Sequence, residues 1–138
     1  MKINLLNLQK KVPIPAGKIK KLIREILKKE RARAAGWINI CFVGNAGIKK
    51  FNAKFLNHRG DTDVLSFNLG NIKDKNLILA DIMISAQKAK SQSAAYGTTA
   101  GYELSLYACH GLLHILGYDD RTPEQSGLMR KKESQYVH

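Results

Sequence analysis

Four residues near the end of the chain have the types and spacing to hold a metal ion. They are His110, His114, Asp119 and Asp120, within His110-Gly111-Leu112-Leu113-His114-Ile115-Leu116-Gly117-Tyr118-Asp119-Asp120. Two imidazoles four residues apart on a helix stand one turn apart on the same face, with Cβ atoms about 6 Å apart, so both reach one ion. Gly117 can adopt a positive φ, which lets the chain leave the helix sharply and bring Asp119 or Asp120 back to that ion. Three protein ligands leave zinc one open position. Water held there has a pKa lowered toward neutrality, the arrangement of a hydrolytic rather than a structural site. A single histidine is more often a packed or surface residue, and Asp-Asp after Gly-Tyr is ordinary turn chemistry. The paired histidines followed at fixed spacing by a glycine turn and a carboxylate tip the balance toward metal.

The histidine spacing is also that of the zincins, whose helix carries His-Glu-x-x-His. Here Gly111 follows the first histidine, so the glutamate that serves those proteases as general base is missing, and a metalloprotease is the least favoured reading. The two cysteines, Cys41 and Cys109, are too few and too far apart for a disulfide framework or a cysteine-rich zinc site. Both are expected as buried thiols. Cys109 points about 100° away from its neighbour His110 on a helix and takes no role.

The elements that must position these residues can be read from periodicity. Residues 2–8 form a first strand closed by Pro13 and Pro15, and Pro15 suits the first turn of a helix with Ile19, Leu22, Ile23, Ile26 and Leu27 on one stripe. The other side of that helix is densely basic. A strand follows from Trp37 to Val43, with Ile38, Ile40 and Phe42 on one side. A helix capped by Asn45 then carries Ile48, Phe51 and Phe55 and ends near Asn57. The polar loop from residue 57 presents Arg59 and leads into a short strand at 64–67. A further strand runs from Leu77 to Ser85 with Asp81 in its middle, where a structural hydrogen bond is expected ahead of support for a metal ligand. Ser85 caps a helix that Gly97 stops. Thr98 or Thr99 then begins a central helix from Ala100 to Leu116, apolar on almost every side and therefore buried. Thr122-Pro123-Glu124-Gln125 is a capping box opening a last, exposed helix.

The chain has 138 residues, enough for one domain with a single core, and we expect one domain over 1–138. Lys and Arg outnumber Asp and Glu by 23 to 11, for a formal charge of +12. That excess favours a polyanion, nucleic acid first. Lys20, Lys21, Arg24 and Lys28 on the first helix are the candidate contacts to a nucleic-acid backbone. No signal-peptide core and no apolar run long enough to span a bilayer is present, so a cytoplasmic protein without a membrane partner is expected.

His-Gly-Leu-Leu-His-Ile-Leu-Gly-Tyr-Asp at 110–119 resembles the signature of the YbeY family of bacterial zinc-dependent endoribonucleases, which cut single-stranded RNA in rRNA maturation. Thr62-Asp63-Val64-Leu65-Ser66-Phe67, preceded by Arg59-Gly60, resembles that family's second motif, and Ala80-Asp81-Ile82-Met83-Ile84-Ser85 a third. The three stand in the family's order, and the likeness runs from about residue 37 to about residue 133. The resemblance implies one zinc ion per chain on His110 and His114, with Asp120 where the family has its third histidine. It implies Arg59 as the catalytic residue gripping phosphate, and single-stranded RNA, ribosomal RNA or the ribosome as partner, with no DNA. Asp120 is one departure from the pattern; a shortened segment between Arg59-Gly60 and Thr62 is the other. The expected architecture is α+β, a small mixed sheet of about four strands with helices around a buried central helix that ends in a zincin-like metal turn. The expected reaction is attack of metal-activated water on a phosphodiester, with Arg59 stabilising charge on the phosphoryl oxygens. The rival is a ribosome-associated RNA-binding factor with weakened or lost catalysis.

Overall fold

Strands β1 (Lys2–Asn7) and β2 (Ala35–Val43) lie side by side and parallel, with Ile3 opposite Ile38 and Leu5 opposite Ile40. A parallel pair needs a crossover, and helix α1 (Ala16–Lys29) supplies it. Its apolar stripe of Ile19, Leu22, Ile23, Ile26 and Leu27 is buried, as the 3.6-residue period predicts. In this computed structural model residues 1–32, 35–44, 46–48, 64–70 and 76–138 are described. Strand β4 (Leu77–Ser85) runs parallel to β2 on its other side, and β3 (Val64–Asn68) pairs antiparallel with β4. The order β1-β2-β4-β3 is the small mixed sheet of four strands expected, with β3 on an edge.

The helices that follow each begin where a side chain can cap them. Ser85 Oγ accepts the Lys88 N–H at 3.1 Å to start α2 (Ala86–Tyr96), and Thr99 Oγ1 accepts the Tyr102 N–H at 3.1 Å to start α3 (Ala100–Ile115). Thr122 and Gln125 form the predicted capping box of α4 (Pro123–Tyr136). Helix α3 packs against α1, α2, α4, β3 and β4, which is why its sequence is apolar nearly all round. It ends one residue earlier than expected, with Leu116 as its cap. Helix α4 is largely exposed, as expected, and buries Met129 and Tyr136.

Alternation divides the sheet into two faces. Ile38, Ile40, Phe42, Ala80, Ile82 and Ile84 are wholly buried beneath the helices. Asn4, Asn39 and Asp81 stand on the opposite face in one row. Asn4 Nδ2–H donates to Asn39 Oδ1 at 2.8 Å, and Asn39 Nδ2–H donates to Asp81 Oδ1 at 3.1 Å. Asp81 therefore has the structural role, on the side of the sheet away from the histidines. Cys41 shares that face and is half-exposed, which corrects the expectation of a buried thiol; Cys109 is buried. A second, smaller cluster of Val43, Ile48 and Leu65 also forms there. Ile48 belongs to the helix expected from Asn45 to Asn57, of which residues 46–48 are described and helical; the remainder, with the loop carrying Arg59, lies outside the described residues.

Candidate metal centre

Helix α3 presents His110 and His114 on one face, their rings edge to face with centroids 4.6 Å apart and their Nε2 atoms 3.1 Å apart. At its C-terminus the chain turns with Gly117 at φ 104°. The Gly117 N–H bonds to the His114 carbonyl and the Tyr118 N–H to the Leu113 carbonyl, both at 3.0 Å. These two bonds close a Schellman turn, which requires a residue at positive φ. The turn carries Asp120 back over the helix end, and its Oδ2 lies 3.5 Å from His110 Nε2 and 3.6 Å from His114 Nε2. Asp119 instead pairs with Arg121 at 3.1 Å and accepts the Asp120 N–H at 2.8 Å. Of the two aspartates, Asp120 is the one that completes the cluster.

The three ligand atoms fit a small divalent ion. Tetrahedral zinc with N and O ligands at about 2.0–2.1 Å separates its ligand atoms by about 3.4 Å, close to the three separations found here. The donor set, two imidazoles and one carboxylate, is one that leaves a coordination position open. Beside it lies a cavity of about 700 Å³, walled by Val64, Ser66 and Asn68 of β3 and by Leu106 and Tyr107 of α3. Ser66 Oγ–H donates to the Gly111 carbonyl at 3.2 Å, tying that strand to the helix one residue after His110. Gly111 has no room to be anything larger: a Cβ there would stand 2.8 Å from Ile82 Cγ2 and 3.0 Å from Ser66 Oγ. The position that holds the zincin glutamate is pressed against the sheet, so close packing explains why that general base is missing.

Two glutamates outside the motif hold this geometry. Glu133 of α4 lies 2.8 Å from His110 Nδ1. A carboxylate only accepts, so Nδ1 carries the hydrogen and the Nε2 lone pair faces His114 and Asp120. Glu30, just past the end of α1, accepts hydrogen bonds from Tyr118 and Tyr136 and pairs with Lys132 at 3.1 Å. Burial pushes the Glu30 pKa up, but those three donors outweigh it and the net shift is downward. The hydrogen bond to Glu30 raises the pKa values of Tyr118 and Lys132 in turn. Burial, then the charges of Glu133 and Glu30, push the Cys109 thiol up to about 12, so it is inert at neutral pH.

The family model for Endoribonuclease YbeY matches residues 4–138. The chain belongs to the YbeY endoribonuclease family. Among its relatives, the Endoribonuclease YbeY of Pelotomaculum thermopropionicum is 34% identical, over 99% of this chain and 95% of its own length. That of Geobacillus thermodenitrificans is 37% identical, over 86% of this chain and 82% of its own. The solution structure of TM1509 from Thermotoga maritima superposes with a TM-score of 0.68 at 27% identity, covering 98% of this chain and 86% of that one. The YbeY match reaches further toward both ends than the likeness of the three motifs.

The other residues singled out by sequence are distributed less simply. Lys20, Lys21, Arg24 and Lys28 all stand on the outer side of α1, at helical spacings that make them neighbours. Arg24 and Lys28 line a groove with Met1 and Ile3, while Lys21 lines a separate hollow with Tyr102 and Tyr136. Lys29 pairs with Glu25 at 2.9 Å, and Glu25 lines the hollow of Lys21. Among the described residues no helix is long and apolar enough to cross a membrane. Sequence reasoning missed Glu30 and Glu133. They lie 88 and 23 residues from the groups they hold, and no local pattern marks either one.

Proposed function

We propose that this member of the YbeY family hydrolyses single-stranded RNA at the His110, His114 and Asp120 cluster with one zinc ion, and that ribosomal RNA is its substrate in the cytoplasm. The carrying observation is the convergence of the three ligand atoms, each 3.1–3.6 Å from the others, at the mouth of a cavity bordered by an edge strand. Zinc bound there supplies Lewis acidity and a water activated as nucleophile near neutral pH. The protein's own residues do the rest. Glu133 fixes the tautomer of His110, and the Gly117 turn fixes Asp120. Ser66 holds the β3 wall against the helix that carries both histidines.

Arg59 is proposed to neutralise the phosphoryl oxygens as charge builds there. Val64 lines the cavity, and the five residues from Arg59 to Val64 allow a reach of up to about 17 Å. The basic side chains of α1 supply the electrostatic attraction that a polyanionic strand needs. The rival reading, an RNA-binding factor that no longer cuts, has no feature of the cluster in its favour.

The test is metal analysis of the purified protein alongside cleavage of an unstructured RNA with and without chelator. Stoichiometric zinc and chelator-sensitive cleavage are expected; cleavage that ignores the chelator sinks the metal reading. Arg59→Ala should keep the fold and the metal while lowering kcat by roughly 10²–10³-fold, the usual cost of one such electrostatic contact. Unchanged cleavage would reduce Arg59 to a surface residue.

A further inference from the structure

Away from the metal centre, the last turns of α1 and the start of β1 enclose a groove of about 820 Å³. Its floor is apolar, formed by the buried side chains of Ile3 and Leu27 with Ala32, and its rim carries Arg24, Lys28 and Arg31. These three cations are exposed. Among the described residues none of them has a hydrogen-bond or ion-pair partner for its side chain, and none that lines the groove carries a carboxylate. A volume of this size accepts a group as large as a small ligand.

Arg31 gives the second, independent observation. It is the one non-glycine residue at positive φ among the described residues, at 56°. Its N–H bonds to the Lys28 carbonyl at 3.1 Å and the Ala32 N–H to the Leu27 carbonyl at 2.9 Å, the Schellman pattern in which glycine is the usual occupant. Helices α2 and α3 end with Gly97 and Gly117 at that position. An arginine kept where the backbone favours glycine points to a use for its side chain. Glu30, its neighbour, is bonded to Tyr118, two residues before Asp120, so the groove and the metal turn are joined through one carboxylate.

We propose that this groove is a second RNA-backbone site, in which Arg24, Lys28 and Arg31 hold phosphates of the strand cut at the metal centre. The inference rests on the RNA reading above, and it adds Arg31 to the contacts and names the groove that Arg24 and Lys28 rim. Cationic rim and apolar floor match the two sides of a nucleotide, its phosphate and its base.

The test measures binding of a short labelled oligouridine to the full chain by anisotropy across a salt series, in chelator so that nothing is cut. Each phosphate contact contributes roughly 0.7 to the logarithmic salt slope on a single strand, so Arg24→Gln with Arg31→Gly should lower the slope by about 1.4. Arg31→Gly alone should lower it by about 0.7 while the melting temperature holds or rises, because glycine relieves the backbone. Lys88→Gln with Lys90→Gln on α2 removes the same charge elsewhere and should leave the slope unchanged. Equal slope losses in the two pairs would overturn the site and leave only net charge. An unchanged slope in the groove pair would also overturn it, with chelator-sensitive cleavage by the wild type still standing. A wild-type chain that binds no oligouridine would overturn both readings.

Discussion

The C-terminal turns of α1 and α3 close with the same two backbone hydrogen bonds, yet one has Arg31 at the positive-φ position and the other Gly117. At the end of α3 the demand is on the backbone. Gly117 sits at φ 104°, well beyond where an L side chain is comfortable, and nothing approaches the place its Cβ would take. Its freedom is spent on sending Asp120 back to the two histidines. At the end of α1 a φ of 56° is within the left-handed region that a larger residue can tolerate at a cost, and the side chain lines a basic groove. The same turn therefore positions a neighbour in one place and presents its own side chain in the other. Glu30 ties the two together through Tyr118.

The largest effect should come from removing what the α3 turn delivers. Asp120→Ala should lower zinc affinity by more than the roughly 10–100-fold typical of an outer partner, and cleavage with it. Asp120→His should keep or raise affinity. It should also move the activity optimum to lower pH, since a neutral imidazole adds no negative charge beside the ion. Metal analysis with pH–rate profiles of the three proteins checks this. Full zinc occupancy in Asp120→Ala would pass the third position to another group.

Next in size is Glu133→Gln. The amide is close in shape but neutral, and loss of such a carboxylate–histidine contact should cost roughly 10–100-fold in zinc affinity with little change in melting temperature. Competition titration against a chromophoric chelator gives the number. An affinity equal to wild type would make the 2.8 Å contact to His110 Nδ1 a matter of packing alone.

The two turn positions should respond to substitution with opposite signs. Gly117→Ala forces a side chain into positive φ at about 1–2 kcal/mol and should also loosen Asp120. Arg31→Gly recovers a similar backbone term but costs about 0.5–1 kcal/mol in unfolded-state freedom, so its net effect lies between nothing and a gain of about 1.5 kcal/mol. Urea midpoints measure both. Destabilisation by Arg31→Gly comparable to that of Gly117→Ala would mean that the Arg31 side chain packs rather than binds.

How far each end was legible follows from where its information lies. The metal turn was readable because its helix spacing, its glycine and its carboxylates fall within eleven consecutive residues. The sheet was readable because Ile38-x-Ile40-x-Phe42 and Ile78-x-Ala80-x-Ile82-x-Ile84 alternate as half-buried strands must. Which aspartate closes the cluster was not, because the choice depends on the path of a turn, and Asp119 is drawn off by Arg121. Glu30 and Glu133 were invisible for a different reason: each acts on groups that only tertiary packing brings to it. The division of the basic helix into two grooves depends on which strand and which helix flank it, a fact of tertiary packing that charge counting does not contain.

The smallest expected effect probes the carboxylate that bridges the two ends. Glu30 has its pKa lowered in the folded chain, burial working against the shift and the bonds from Tyr118, Tyr136 and Lys132 carrying it. A depressed folded pKa means that the folded state favours the charged form, so the group stabilises the fold above its unfolded pKa of about 4.3. That stabilisation is lost as pH falls through the lower folded value. Glu30→Gln keeps the shape and removes the titration. The variant should therefore be less stable than wild type at neutral pH, and the two melting curves should converge as the solution is taken below about pH 4. The amide keeps one acceptor oxygen, enough for Tyr118 or for Tyr136 and Lys132 but not for all three, so a hydrogen bond is lost along with the charge, and zinc affinity should fall only as far as Tyr118 lets the Asp120 turn move. Melting temperatures from neutral to acid pH decide it. A constant gap between wild type and Glu30→Gln over that range would show that the clamp holds by hydrogen bonding alone, and a zinc affinity unmoved by the change would show that the turns of α1 and α3 are held separately.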